Sequence, residues 1–270
     1  MISWHFVSNA LRERRAQIAF ACVFAGLFQV LIVALVIGAN LLVIVEQFYS
    51  QMPPQVQVLF GEQFIAQFSV NGAVALGYVH PLVLVLLAVV AISIPARQIA
   101  GEIENGTLEL LFAMPVKRSQ VALSQWLFCA FVLLVLVVGC WVGTGVGLAL
   151  YPDVRSVPLA NVAKIGVNLW LLMVAVASYT MLLAAYSNEG SKVALRAGGI
   201  TWFFYFANVL LVMWPDGAFL RRFTLFHYHE PPQIMMNSPV WGRNVLVLVS
   251  ISVVCAALAI RRMARRDIPG

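Results

Sequence analysis

Six apolar runs, each long enough to cross a lipid bilayer as a helix, dominate this chain of 270 residues. A transmembrane helix requires about 20 consecutive, mostly apolar residues. Only 10% of the residues are charged, whereas ordinary soluble domains carry about 25%. The pattern predicts an all-α membrane protein with a single transmembrane domain over residues 1–270. The spans are expected at about 17–45, 77–95, 121–150, 162–186, 193–214 and 245–260.

Basic residues are distributed unevenly between the two sides that six spans create. If the N-terminus is internal, 12 of the 17 Lys and Arg residues fall in internal segments and 5 in external ones. Basic residues concentrate in the cytoplasmic loops of membrane proteins. The distribution therefore predicts that both termini are cytoplasmic, with external segments at residues 46–76 and 215–244.

The segment before the first span, residues 3–15, has an amphipathic pattern. Apolar residues recur there at helical spacing, and basic residues follow them: Arg12, Arg14 and Arg15. This pattern is typical of a helix lying in the membrane interface. The next apolar run is too long for a cleaved signal peptide and lacks a small-residue cleavage site, so we predict an interfacial helix that is retained.

The most polar stretch, residues 97–120, separates the second and third apolar runs. It contains three of the 11 acidic residues of the chain: Glu102, Glu104 and Glu109. Charge and glycine at this density must lie outside the hydrocarbon. We predict a helical elbow that docks into a partner's groove on the cytoplasmic side. The alternative is an interfacial helix that only buries its leucines among the headgroups.

Two short helices are predicted within this stretch. Gly106 suits the position just after the first helix, because glycine readily adopts the left-handed conformation found there. Thr107 is placed to cap the second helix, with Glu109 in its first turn, where the helix dipole favours a negative charge. Pro115 ends the second helix.

Uncharged polar residues interrupt the apolar runs, whereas no acid, Lys or Arg lies at mid-depth. The absence of buried charge disfavours an ion-coupled carrier. The polar residues either link helices by hydrogen bonds, which we favour, or line a path for a transported molecule. They are Gln29, Gln125, Asn168, Tyr179 and Asn208.

Gly139, Gly143 and Gly147 recur at four-residue spacing in the third run and therefore lie on one helix face. Small residues at such spacing allow a second membrane helix to approach closely. We predict a packing surface, rather than a phosphate site, at these glycines.

No enzymatic or nucleotide-binding motif is present in the sequence. The nearest approach to a phosphate-binding loop, Gly190-Ser191-Lys192, lacks the upstream glycine that such a loop needs. His227 and His229, with Met235 and Met236 nearby, form a weak candidate copper site, because alternate residues of an extended loop point to opposite sides. We predict no metal site and no catalysis. A membrane assembly factor, or a factor that delivers copper or sulfur, remains an alternative.

The run GEIENGTLELL at residues 101–111, followed by PVKR at 115–118, resembles the signature of type-2 ABC exporter permeases. In that family a glutamate-containing segment after the second span leads into Gly-Thr-Leu-Glu-x-Leu-Leu and then Pro-Val-x-Arg. Within the family, the chain is similar to the small six-span permeases of the branch that includes the nitrous oxide reductase maturation permease.

The resemblance implies a permease subunit of an ATP-driven exporter in the bacterial inner membrane, surrounded by lipid and with no nucleic-acid partner. Two copies would assemble with two separate ATPase subunits, which bind the ATP and Mg. The first, second and fifth spans would line the dimer interface. The stretch 97–120 would contain the coupling helix, with the coupling residues Glu102, Glu104, Asn105, Gly106, Thr107, Glu109 and Pro115.

Overall fold

The structure, a computed structural model, describes residues 4–38, 41–51, 53, 70–106, 118–151 and 157–266. In chain order the α-helices are α1 (Trp4–Gly38), α2 (Leu41–Ser50), α3 (Val70–Gly77), α4 (Pro81–Pro95), α5 (Glu102–Glu104), α6 (Arg118–Leu150), α7 (Leu159–Ala185), α8 (Gly190–Met213), α9 (Pro231–Met235) and α10 (Val240–Arg265). A π-helix, Ala96–Gly101, joins α4 to α5. Two 3-10 helices, Pro215–Phe223 and Leu225–Tyr228, follow α8.

Within the described residues, six helical stretches are long and apolar enough to cross a membrane, and the predicted all-α, six-span architecture is confirmed. The stretches are Arg14–Ile37, Val70–Glu104, Arg118–Leu150, Leu159–Ala185, Gly190–Met213 and Val240–Arg265.

The second of these stretches is interrupted, because α3 ends at Gly77 and α4 begins only at Pro81. Proline suits the first position of a helix, where its missing N–H has no helical partner to lose. His80 caps α4, and its Nδ1 accepts a hydrogen bond from the backbone N–H of Leu82 at 3.3 Å. The two half-helices therefore meet at a defined turn rather than at a gradual bend.

α6 and α7 form the centre of the bundle. Of the most apolar 18 residues of α7, 72% are buried, and 61% are buried in α6. The corresponding share is 28% in α10, 22% in α1 and only 11% in α8. The central helices therefore have protein on most sides, and α8 is the span with the most unpartnered surface.

The glycine face of α6 packs against α1. A Cβ atom at Gly139 would lie 2.6 Å from Cys22 Sγ, and one at Gly143 would overlap the backbone of Gly26. A Cβ atom at Gly147 would lie 2.9 Å from Val33. The two helices approach so closely here that no side chain fits between them.

Several predicted segments fall only partly within the described residues. Residues 4–38 form one continuous helix, so no break separates the predicted interfacial segment from the first span. Thr107, Glu109 and Pro115, with the predicted second short helix, lie outside the described residues. Most of the predicted external segment 46–76 also lies outside them.

The segment between α8 and α10 folds back onto the bundle. Its buried apolar side chains include Leu225, Phe226, Ile234 and Met235. Thr224 Oγ1 lies 3.2 Å from Asn208 Oδ1 in α8. Phe226 packs edge-on against Tyr205 of the same helix, with ring centroids 5.4 Å apart. This return ties the last third of α8 to the end of the bundle.

Candidate coupling site at one end of the bundle

A wide helical turn begins where α4 ends. Pro95 has no N–H and cannot donate the helical hydrogen bond to the carbonyl of Ala91. The backbone continues from this point as the π-helix Ala96–Gly101, which we name the π-turn. Ile99 and Ala100 are buried in it. Single π-helical turns inside α-helices occur frequently at functional sites.

The π-turn is fastened to α6 by Gln125, whose Nε2 donates a hydrogen bond to the carbonyl of Gln98 at 2.8 Å. Both residues are buried. A glutamine at this depth must find a partner, because an unsatisfied buried amide destabilises the fold by about 1–3 kcal/mol. The bond therefore fixes the position of the π-turn relative to the centre of the bundle.

Glu104 connects the other end of this segment to α8. Its Oε2 accepts a hydrogen bond from the backbone N–H of Gly190 at 2.9 Å, across 86 residues of chain. Gly190 is the first residue of α8, and the N-terminus of a helix favours a negative charge. The preceding residue, Glu189, makes no side-chain capping bond. The free end of α8 is therefore capped by the carboxylate of Glu104.

Gly190 also lets the π-turn lie directly against α8. A Cβ atom at Gly190 would lie 3.1 Å from the carbonyl oxygen of Ala96 and 3.2 Å from the backbone of Gly101. These distances are tighter than nearly all real Cβ contacts. The backbones of the π-turn and of α8 are therefore in close contact at Gly190.

The corner that follows α5 is exposed. Asn105 N donates to Gly101 O at 3.0 Å, and Gly106 N donates to Ile103 O at 3.1 Å. Gly106 has φ +69°, the left-handed conformation that sequence reasoning assigned to it. Glu104, Asn105 and Gly106 are exposed, and Glu102 is half-buried. This exposed corner, residues 102–106, presents hydrogen-bonding groups at the end of the bundle.

Arg266 fastens three elements together beside this corner. Its Nη1 donates to the carbonyls of Ala184 and Ala185 at 3.3 and 3.1 Å, and its Nη2 donates to Ser187 O at 2.9 Å. Its own carbonyl accepts a hydrogen bond from Arg118 Nη1. The negative end of the α7 dipole lies at these carbonyls and stabilises the buried cation.

Sequence reasoning missed this role of Arg266. It treated the four arginines at the C-terminal end as one orientation signal, because all four lie in a single polar run. The structure distinguishes them: Arg266 is 7% exposed, whereas Arg261, Arg262 and Arg265 are exposed. No local pattern in the sequence marks the position that meets the end of α7.

The molecule has six candidate spans among its described residues. An exposed corner lies at the end of the second span, and the π-turn packs against the fifth. Residues 1–268 match the family described as ABC-2 family transporter protein. The chain belongs to the ABC-2 transporter family. No curated protein matches the chain. As an ABC-2 permease it is a membrane transport subunit, of a kind that generally has no ATPase domain of its own and works with an ABC ATPase.

The ABC-2 family match does not distinguish among branches of the family. The similarity to the nitrous oxide reductase maturation permease therefore stays a prediction. The alternatives based on metal delivery and on ion-coupled transport are not favoured by the family.

A cluster of hydrogen-bonded polar side chains lies at the interruption between α3 and α4 of this ABC-2 permease, apart from the exposed corner. Gln29 Nε2 donates to the carbonyl of Gly77 at 3.0 Å. His229 Nε2 lies 3.2 Å from the carbonyl of Tyr78, and His229 Nδ1 lies 2.9 Å from Oδ1 of Asn168. Carbonyls that lose their helical partners at the interruption are thus satisfied by side chains from α1 and from the segment before α9.

The protonation of His229 follows from these partners. A neutral imidazole has one N–H, and the carbonyl of Tyr78 can only accept, so Nε2 carries the proton. Nδ1 must then accept, which requires the amide group of Asn168 to present its NH₂ side. This orientation also gives Asn168 Nδ2 a partner, which it otherwise lacks. Burial lowers the pKa of His229 to about 4, so the ring is neutral at pH 7 and acts as a structural link.

The candidate copper site does not assemble around His229. Both of its ring nitrogens face protein groups, and the residue is buried. His227 lies 4.0 Å from Glu230 Oε1. Among the described residues, no group of three or more His, Cys, Asp and Glu is placed to hold a metal ion. The geometry gives the metal-delivery alternative no support.

All five polar residues that interrupt the apolar runs bond to a neighbouring element, and Tyr179 bonds to Thr201 of α8. Gln29 and Asn168 belong to the cluster at the interruption, Gln125 holds the π-turn, and Asn208 meets Thr224. Each bond satisfies the hydrogen-bonding need that favoured a linking role in the sequence. Contact of any of them with a transported molecule stays a prediction.

We expect the stability of the permease to fall with decreasing pH between 6.5 and 4. Burial lowers the pKa of His229 from 6.5 to about 4, with the Tyr78 hydrogen bond opposing part of the shift. The unfolded chain binds the proton first, so the contribution is fully present above pH 6.5 and is lost toward pH 4. The shift corresponds to roughly 3 kcal/mol. Thermal unfolding in detergent at about pH 7 and about pH 4.5 measures it.

The variant His229→Gln is the comparison for this prediction, because glutamine retains hydrogen-bonding groups but does not titrate. Its melting temperature is expected to be lower at pH 7 and to change less with pH. Equal pH dependence in the two proteins would show that another group is responsible.

Proposed function

We propose that this ABC-2 permease is the membrane half of an exporter and that a cytoplasmic ATPase docks on the exposed corner at residues 102–106. The observation that carries the proposal is the hydrogen bond between Glu104 and Gly190. It joins the exposed corner to the end of α8, so that a partner moving the corner also moves a membrane span.

α8 is suited to respond to such movement. It contacts the π-turn at one end and the returning segment around Thr224 and Phe226 at the other, and it also packs against α7 and α4. One hydrogen bond, between Tyr179 and Thr201, links its middle to α7. Only 11% of the most apolar 18 residues of α8 are buried, so α8 can shift without breaking the packing between α6 and α7.

A groove of about 300 Å³ runs between α4 and α8. Its walls include Leu84, Ile92 and Trp202. The adjoining face of α8 exposes further aromatic side chains, among them Phe203 at 68% and Phe206 at 52%. We propose that a second copy of the chain covers this face, giving two permeases and two ATPases. The second and fifth spans then lie at the dimer interface.

In this mechanism ATP and Mg act on the partner subunit, and the permease contributes a two-state membrane domain. ATP can shift the equilibrium only if it binds the two states of the complex with different affinity. Closure of the ATPase pair would push the exposed corner, the π-turn would transmit the displacement to α8, and the space between the two α8 helices would open outward.

Replacement of Glu104 by alanine tests the coupling step. We expect Glu104→Ala to co-purify the ATPase in normal amount but to lower permease-stimulated ATP hydrolysis about tenfold, the effect of losing one charge-assisted hydrogen bond. Glu104→Gln keeps an acceptor oxygen and should lie between alanine and wild type. The measurement is ATP hydrolysis by the complex reconstituted in nanodiscs.

The matched control is Glu189→Gln, since this carboxylate lies next to Gly190 but bonds only Lys192 at the surface, at 2.5 Å. It should leave hydrolysis unchanged. Docking is tested separately by Asn105→Arg, which alters the exposed tip and should reduce co-purification. Full stimulation in Glu104→Ala removes the coupling role, and full co-purification with Asn105→Arg removes the docking site.

A further inference from the structure

A second groove of this permease opens between α7, α8 and α10 and has a volume of about 360 Å³. Its walls are mainly apolar and include Leu183, Phe204 and Ile251. All three helices that form it are candidate membrane spans. The contents of such a groove must therefore be compatible with hydrocarbon along most of its length.

The groove has a single cationic side chain, Arg222, in its lining. Arg222 is exposed, and among the described residues it makes no salt bridge. Its neighbours differ: Arg221 and Arg243 both lie near the carboxylate of Glu230, at 3.8 and 3.6 Å. One positive charge at the groove therefore has no anionic partner within the described part of the chain.

The electrostatic surroundings of Arg222 are positive overall. Burial lowers the pKa of His227, and the charges of Arg221, Arg243 and Arg222 lower it further. Three guanidinium groups thus act on His227, whereas the carboxylate of Glu230 faces two of them, Arg221 and Arg243. An anion arriving beside Arg222 would meet a favourable potential, whereas a cation would be repelled.

Arg222 lies near the end of the span α8, where a transmembrane helix leaves the hydrocarbon. Thr224, two residues later, contacts Asn208, which is five residues before the end of α8 at Met213. Five helical residues span about 8 Å. Tyr228, whose hydroxyl donates to the carbonyl of Arg222 at 2.9 Å, holds the backbone of Arg222 in place. Tyrosine and tryptophan are typical of this boundary.

We propose that this groove binds one anionic phospholipid from the adjoining leaflet, with an acyl chain between α7, α8 and α10 and the phosphate at Arg222. A guanidinium group pairs well with phosphate oxygens, because its planar fork donates two parallel hydrogen bonds. The apolar walls of the groove accommodate the acyl chain, and the guanidinium group of Arg222 selects an anionic headgroup. The site is separate from the exposed corner and from the groove between α4 and α8.

Native mass spectrometry of the full-length permease tests the proposal, with phosphatidylglycerol and phosphatidylcholine of identical acyl chains as probes. The wild-type protein should retain one phosphatidylglycerol in preference to phosphatidylcholine. Arg222→Gln should reduce that retention about tenfold, to the level of phosphatidylcholine. Arg261→Gln, which removes an exposed arginine from the other end of the bundle, should retain the lipid as wild type does.

Ile251→Trp tests the acyl-chain half of the site by filling the groove and should reduce retention of both lipids. A melting temperature close to that of wild type verifies that each variant is folded. The proposal is overturned if the wild-type protein shows no preference for phosphatidylglycerol, or if Arg261→Gln lowers retention as much as Arg222→Gln. Retention unchanged by Ile251→Trp would place the lipid elsewhere.

Discussion

Replacing Gly143 with leucine is expected to prevent accumulation of the folded permease, whereas leucine at Gly145 should be tolerated. A Cβ atom at Gly143 would overlap the backbone of Gly26 in α1, so the two helices could not keep their separation. A Cβ atom at Gly145 would meet nothing within 4 Å. Added atoms in a packed core cost about 1–3 kcal/mol even when side chains can move, and here the obstacle is backbone.

The amount of monodisperse protein after detergent extraction measures this difference. Both variants add the same side chain to the same helix, two residues apart, so hydropathy and helix propensity are matched. The yield of Gly143→Leu should fall several-fold or more, as expected for a loss of this size. Equal yields from the two variants would mean that α1 can move away from α6 at little cost.

Arg266→Ala is expected to lower the free energy of unfolding by about 3 kcal/mol or more. The substitution leaves the carbonyls of Ala185 and Ser187 without the donors that Arg266 supplies, whereas the carbonyl of Ala184 keeps the hydrogen bond from Ser187 N at 3.2 Å. The hydrogen bond from Arg118 ends on the backbone of residue 266 and loses its fixed position. These hydrogen bonds of Arg266, which we call the Arg266 clamp, hold the turn that precedes α8. We therefore expect Arg266→Ala also to lower the stimulation of ATP hydrolysis by the permease.

Arg265→Ala is the control for Arg266→Ala, because Arg265 is adjacent in sequence but exposed. It should change the melting temperature little, as exposed charges usually do. Arg266→Lys should be intermediate, since an ammonium group supplies donors but not the planar fork. A melting temperature for Arg266→Ala equal to that of Arg265→Ala would exclude the clamp.

The spans of this permease could be predicted from the sequence, because bilayer thickness fixes the length of an apolar run. The glycine spacing in α6 likewise has one physical meaning in a membrane, and the structure places those glycines against α1. The left-handed conformation expected at Gly106 is local chemistry as well, and the structure has it. These features depend on residues that are close in the sequence or on the thickness of the bilayer, and both are known without the tertiary structure.

The links that make the fold specific could not be predicted, because each joins residues far apart in the chain. Glu104 was recognised as acidic and exposed, but not as the cap of α8. His229 was considered as a metal ligand, whereas it satisfies the backbone carbonyl of Tyr78 at the interruption between α3 and α4. In both cases the side chain forms a hydrogen bond with a backbone group that has no partner within its own helix. Only the tertiary structure shows which backbone group that is.

The π-turn has a consequence for how this region can vary. A π-helical turn holds about one residue more than an α-helical turn. This extra residue changes the direction about the helix axis in which every later side chain points. Deleting one residue between Ala96 and Gly101 would rotate the following helix by about 100°, the angle per residue of an α-helix. Glu104 would then face away from Gly190 although every side chain of the corner was intact. The segment is therefore expected to tolerate changes of residue type better than changes of length.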